Sequence, residues 1–258
     1  MTLNFDPRPA CARLIQARTE RRQFDALAAA ERPSTLEQGY AVQQAVHASS
    51  GSVVAGYKVA AANAAALRTS EFGLALFGSL EQTAMHANDA VITRVEGARF
   101  TLEVEAAFEL LCDVRAGDEP LDMGRLLSAP FLAIEIVCSR YLDRKTVGAP
   151  SFVADNSAFH AFVRGDQLDA TVPDNAPWGK PAQLDCDGVS ISHPLTGDAC
   201  TEPLQSLALF WEHAAKYGLE LTRGQVITTG TLVQPVDVDA PGVYEGRLGG
   251  ARVGFTLV

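Results

Sequence analysis

Thr101-Leu102-Glu103-Val104-Glu105-Ala106-Ala107-Phe108-Glu109-Leu110 alternates between two kinds of residue. Leu102, Val104, Ala106, Phe108 and Leu110 share one parity; Glu103, Glu105, Ala107 and Glu109 share the other. Residues two apart on a strand point to the same side. The pattern therefore predicts a strand with Glu103 and Glu105 as neighbours on one face. Two carboxylates that close repel unless one is protonated or a cation stands between them. A strand with one wet, charged face explains the same pattern.

Downstream, Phe131-Leu132-Ala133-Ile134-Glu135-Ile136-Val137 is apolar except for Glu135. Such a run predicts a strand buried on both faces. A lone buried carboxylate is costly unless paired, protonated or bound to a metal. Arg140 or a lysine elsewhere would pair it. Alternatively, Glu103, Glu105 and Glu135 on neighbouring strands form an all-oxygen site, which suits Mg²⁺ or Mn²⁺ and is poor for zinc or copper.

Upstream, Lys58 is the only charge in Val53-Val54-Ala55-Gly56-Tyr57-Lys58-Val59-Ala60-Ala61-Ala62. It either snorkels to water or points into a polar pocket. Asp155-Asn156, read as a strand-end pair after Ser151-Phe152-Val153-Ala154, orients a site or forms an Asx turn. Thr228-Thr229-Gly230-Thr231 ends another strand pattern and could hold an anion through backbone N–H groups, or simply turn. The five histidines are scattered, with no H-x-x-x-H pair.

Further out, the N-terminal third looks helical. Pro7 to Ala30 is one expected helix; a second starts at a capping box, Ser34 with Glu37. After Gly51 strand patterns take over, including Val53–Val59, Gln183–Ile191, Gln225–Thr229 and Arg252–Val258. Asn63 to Thr69 reads as a short helix. Asp187-Gly188 is a hairpin signal. Pro203 opens another helix and Gly218 stops it. The expected division is a helical region, 1–50, and a β-rich metal-binding body, 51–258, in one compact unit.

The chain has 258 residues, 47% apolar and 20% charged, enough to bury a substantial core. Its formal net charge of −10 argues against generic binding to nucleic acid or to an anionic membrane. Val53 to Leu67, the longest weakly polar stretch, is broken by Lys58 and Asn63, whereas a spanning helix needs about 20 apolar residues. The N-terminal residues have acid, proline and arginine where a signal peptide would place its apolar core. Five widely spaced cysteines without C-x-x-C read as free thiols in a reducing cytoplasm. Cys186, His193 and Cys200 lack a tight ligand pair for zinc. No G-x-G-x-x-G follows a strand and no G-x-S-x-G elbow is present.

Six segments share an order with a known family. They are Thr35-Leu36-Glu37-Gln38-Gly39-Tyr40-Ala41-Val42-Gln43, Gly56-Tyr57-Lys58-Val59 and Glu103-Val104-Glu105-Ala106-Ala107-Phe108. Ala133-Ile134-Glu135-Ile136-Val137-Cys138-Ser139-Arg140, Val153-Ala154-Asp155-Asn156 and Gly224-Gln225-Val226-Ile227-Thr228-Thr229-Gly230-Thr231 follow. Each alone is a weak signal; the ordered set is fairly specific. The chain resembles the 2-keto-4-pentenoate hydratase and 4-oxalocrotonate decarboxylase group of the fumarylacetoacetate hydrolase superfamily.

The resemblance implies an α+β fold, an N-terminal helical part packed on a mixed β-roll. It implies a divalent ion held by Glu103, Glu105 and Glu135, a catalytic Lys58, and substrate contacts from Asp155 and Thr231. Substrates in this branch are 2-oxo or 2-hydroxydienoic acids from aromatic-ring catabolism, and the enzymes form homo-oligomers. Hydration is the leading expectation and decarboxylation the alternative. Further rivals are an acylpyruvate-type C–C hydrolase and a non-catalytic 2-oxo-acid-binding paralogue. Some positions depart from the family. Ala60, Ala61 and Ala62 follow the lysine in place of glycine and a small hydroxyl residue. Phe77 and Gly78 stand where an acidic pair is common. Cys138 replaces an aspartate, and Phe159 interrupts the small residues after Asp155-Asn156.

Overall fold

In the computed structural model of the chain, residues 5–69, 72–95, 97–115, 123–169 and 181–258 are described. Residues 1–4, part of the stretch read for a leader, lie outside them. Helices α1 (Arg8–Thr19) and α2 (Leu36–Ser50) come first. Strand β1 (Val54–Ala60), helix α3 (Ala64–Thr69) and strands β2 (Leu76–Glu81), β3 (Met85–Ala87) and β4 (Ala90–Ile92) follow. Next come β5 (Phe100–Glu109), α4 (Met123–Leu126), β6 (Phe131–Val137), α5 (Ala149–Ala154) and β7 (Phe159–Gln167). The hairpin β8 (Ala182–Cys186) and β9 (Val189–Ser190) precedes α6 (Pro203–Tyr217). Strands β10 (Val226–Thr231), β11 (Val236–Val238), β12 (Gly242–Leu248) and β13 (Ala251–Leu257) close the chain.

The larger sheet runs β2-β1-β10-β5-β6-β7-β3, with β11 also on β5; the smaller runs β4-β13-β12-β8-β9. Both are mixed, since β1 pairs parallel with β10, β3 with β7 and β4 with β13. Leu102, Val104, Ala106, Leu132, Ile134 and Ile136 project between the sheets onto Leu184, Tyr244, Val253 and Phe255. The opposite face of β5 and β6 is buried as well. Its Ala107, Phe131 and Ala133 pack with Leu80 of β2 and Phe159 and Phe162 of β7, so the larger sheet curls upon itself. The wet face allowed by the alternation is therefore absent. Glu103 and Glu105 face the inside of a roll.

The helices cover the sheet from outside this curl. Leu207, Phe210, Trp211 and Ala214 of α6 meet Val59, Phe77 and Ile227. Pro203 stands in the first turn of α6, and Gly218 ends it at a left-handed φ of 61°. Asp187 and Gly188 both take positive φ at the β8–β9 turn, as a tight hairpin demands.

Three local expectations need correction. The first helix stops at Thr19, well short of Ala30. Arg21 turns left-handed, the Arg22 N–H reaches back to Ala17 O, and Phe24 then pairs with Tyr141. Burying Phe24 and Leu27 outweighs the helical preference of the alanines. The α2 cap is shifted by one residue. Thr35 Oγ1 accepts from Gln38 N–H at 3.3 Å, while Ser34 Oγ donates to Gln38 Oε1 at 3.0 Å. Finally, Ser151–Ala154 ends a helix rather than a strand, because Pro150 fits the first turn. No helix among the described residues is long and apolar enough to cross a membrane.

Candidate active site

Register assembles the acidic cluster. Glu103 and Glu105 share the inner face of β5, and Glu103 lies directly opposite Glu135 on β6. One carboxylate oxygen from each of the three lies within 4.8 Å of the others. Among the described residues no other set of three histidine, cysteine or acidic side chains gathers so closely. Glu105 and Glu135 are 0% exposed, and Glu103 is half-buried.

Lys58 enters from β1. Alternation sends Tyr57 and Val59 toward α6 and turns Lys58 inward, where it is 2% exposed. Its Nζ lies 2.7 Å from Glu135 Oε1 and donates to Ser157 O at 3.2 Å. Glu135 thus finds a lysine, as one reading of its sequence context required. Arg140 pairs with Asp155 instead.

The charges do not balance. Three carboxylates, two of them fully buried, face one buried ammonium, and an unpaired buried ion is expensive. Glu105 Oε2 accepts from Gly230 N–H at 3.0 Å, but Glu105 Oε1 and Glu135 Oε2 receive no hydrogen bond. Burial, helped by the neighbouring Glu135 and Glu103 charges, pushes the Glu105 carboxyl well above its ordinary value. Burial also raises Glu135, to about 7, against the pull of Lys58. For Lys58, burial works to lower the pKa, yet the Glu135, Glu103 and Glu105 charges outweigh it and leave the ammonium raised. A buried all-oxygen cluster with excess negative charge and unpartnered lone pairs fits a hard divalent cation.

Asp155 and Thr231, expected to touch substrate, are engaged by the protein itself. The Asp155 carboxylate is 2% exposed, accepts from Ser139 Oγ at 2.8 Å and Arg140 N–H at 2.9 Å, and pairs with the Arg140 guanidinium. Thr231 Oγ1 donates to Val233 O at 2.8 Å. The backbone N–H that serves an anion at this strand end belongs to Gly230, and its anion is Glu105. A backbone donor leaves no mark in the sequence beyond the glycine, whose φ of 94° suits few other residues.

The family departures also find their places. A Cβ at Gly78 would stand 2.7 Å from Asn156 O and 3.1 Å from Lys58 Cδ. The room an acidic side chain would need is already filled. Ala62 packs beside Val59 and Phe77. Cys138 belongs to the core between the sheets, on the face away from the carboxylates, where burial pushes its thiol up to about 11. His160 and His213 lie elsewhere, each lowered to about 4 chiefly by burial.

No family model matches the chain. A curated 2-keto-4-pentenoate hydratase of Paraburkholderia phymatum is 28% identical over 255 residues, 95% of each chain. A solved 4-oxalocrotonate decarboxylase from Pseudomonas putida G7, complexed with magnesium and adipate, matches with TM-score 0.84 at 17% identity, over 99% of each chain. A fumarylacetoacetate hydrolase family protein from Yersinia pestis CO92 matches with TM-score 0.56 at 17% identity, over 81% of this chain and 95% of that one. The α+β roll expected from the sequence is the observed fold. The resemblance carried by the ordered motifs, to the 2-keto-4-pentenoate hydratase and 4-oxalocrotonate decarboxylase family, thus holds over nearly the whole chain, in sequence with the hydratase and in fold with the decarboxylase.

Proposed function

We propose that the chain is a divalent-metal-dependent enzyme of 2-oxo-acid chemistry, a hydro-lyase that adds water to a 2-hydroxydienoate. One observation carries the reading: three carboxylates and one lysine converge at a buried point of a chain similar to a hydratase along 95% of its length. Glu103, Glu105 and Glu135 would hold Mg²⁺ or Mn²⁺, and the magnesium bound by the decarboxylase of the same fold supports a divalent ion. Such an ion, when bound, supplies Lewis acidity toward the carboxylate and 2-oxygen of the substrate.

The remaining work falls to the chain. Lys58 keeps its charge beside the carboxylates and offers an N–H to negative charge developing on the substrate, or a proton to its carbon skeleton. The Gly230 N–H fixes the Glu105 carboxylate. Ser139 and Arg140 anchor Asp155 and hold the end of β6 against the start of the next turn. Homo-oligomer formation belongs to the same proposal.

The test follows the ultraviolet band of 2-hydroxypenta-2,4-dienoate with purified protein, with and without Mg²⁺, and with Glu103→Gln as control. The expected outcome is metal-dependent loss of the band with a hydroxylated 2-oxo acid as product, absent in the variant. Loss no faster than spontaneous ketonisation in a folded, metal-loaded sample would refute hydration. The shared fold with the decarboxylase favours one second reading, loss of CO₂ from a 2-oxo diacid. CO₂ release from 4-oxalocrotonate without hydration would select it. Oxalate binding without turnover of either compound would mark a binding paralogue.

A further inference from the structure

Asn156, Ser157 and Ala158 take successive positive φ values of 54, 50 and 61°. None is glycine, and all three are buried. Left-handed backbone is strained for residues that carry a Cβ. A turn of this kind persists only where its surroundings hold it.

Strand β2 does the holding. Asn156 Oδ1 accepts from Ser79 N–H at 2.8 Å, and Asn156 Nδ2 donates to Ser79 O at 2.8 Å. The side-chain amide thereby pairs with Ser79 as a neighbouring strand's peptide would. Two residues back along β2, Ser157 Oγ donates to Phe77 O at 2.9 Å. Gly78, between these anchors, lets the turn approach, since a Cβ there would collide with Asn156 O.

One product of the turn reaches the candidate site. Ser157 O accepts from Lys58 Nζ at 3.2 Å. The ammonium has three N–H donors. Glu135 Oε1, its ion-pair partner at 2.7 Å, and Ser157 O, its hydrogen-bond acceptor at 3.2 Å, are two fixed anchors for it. Without Ser157 O the flexible lysine chain would be held at one point only.

We propose that Asn156 is a positioning residue for Lys58: by pairing with Ser79, its amide holds the left-handed turn that sets the Ser157 carbonyl against the Lys58 ammonium. The role in turnover rests on the function proposed above; the geometric role does not.

The test compares Asn156→Gly, Asn156→Ala and Asn156→Asp in the full chain. Glycine accepts the left-handed backbone but removes the amide, so it separates the pairing from strain. Aspartate keeps the size and the acceptor for Ser79 N–H. Circular dichroism and Mg²⁺ titration establish folding and an intact carboxylate cluster. Crystal structures then read the distance from Lys58 Nζ to Ser157 O. We expect that contact to be lost in Asn156→Gly and Asn156→Ala and kept in Asn156→Asp. A small displacement of a reacting group can cost about 10²-fold in rate. Accordingly kcat should fall about 10²-fold in the glycine and alanine variants, with KM changed little, and recover in part in the aspartate variant. An unmoved Lys58 in Asn156→Gly, or its turnover at the wild-type rate, overturns the proposal. If the wild-type chain turns over no 2-oxo acid, the proposed function fails, and the structural arm alone decides the role of Asn156.

Discussion

At the residue scale, the candidate site concentrates on Lys58 and the glutamate cluster. Lys58→Met keeps the apolar stem and removes the charge. It is expected to lower kcat by about 10²–10⁴-fold, the usual worth of a positioned proton donor, as steady-state kinetics would read. Wild-type turnover would show that Lys58 only neutralises Glu135. Protonation of the carboxylates adds a second expectation. Burial raises Glu105 and Glu135, the latter to about 7, so protons compete with the metal. Above that value Glu135 is already ionised; below it Glu135 must shed a proton to bind the metal. Mg²⁺ affinity measured by calorimetry should therefore weaken as the pH falls below about 7, with proton release on binding. The side chains of this cluster were legible in the sequence because each is a charge in an apolar or alternating run. The Gly230 N–H and the Ser157 carbonyl were not, since backbone groups are common to every residue and only tertiary placement selects them. The pairing of Asp155 with Arg140 was not legible either, because the two lie fifteen positions apart across a helix.

At the element scale, the pairing of β5 with β6 is decisive. A one-residue slip of β5 would send Glu103 and Glu105 into the apolar core between the sheets and Leu102 and Val104 into the roll. Phe131 helps to fix that register. It is 2% exposed and packs inside the curl with Phe159 and Phe162. Phe131→Ala should destabilise the chain by about 3–5 kcal/mol, visible as a lower denaturant midpoint. A shift below about 1 kcal/mol would mean that the inside of the roll is loosely packed. Strands β1, β6, β8 and β13 were legible from apolar runs and turn residues. The end of α1 was not. Ala26, Ala28, Ala29 and Ala30 favour a helix locally, yet the pairing of Phe24 with Tyr141, from a distant segment, ends it first.

At the scale of the whole molecule, the carboxylates belong to two strands and the lysine to a third, so metal binding and folding are linked. An ion at 100 times its dissociation constant would stabilise the fold by about 2.7 kcal/mol. Added Mg²⁺ should raise the thermal midpoint, and a chelator should reverse the rise; an unchanged midpoint would argue against the carboxylates as ligands. The sign with pH follows from the same groups. Between the ordinary glutamate value of 4.5 and about 7, the metal-free folded state holds protons at Glu135 that the unfolded chain has lost. That contribution is complete at the acidic end and disappears as the pH rises through about 7. The parallel partnership of β1 with β10 has a consequence in time. Gly56 pairs with Val226. A ribosome releases the lysine strand long before its neighbour, which lies far downstream in the chain. Until then the sheet has an open seam, and closing it joins contacts of very high sequence separation, the slow kind in folding kinetics. The lysine therefore meets the surroundings that would make it reactive only after β10 has emerged, so a product terminated before β10 would carry Lys58 and the three glutamates and no assembled site.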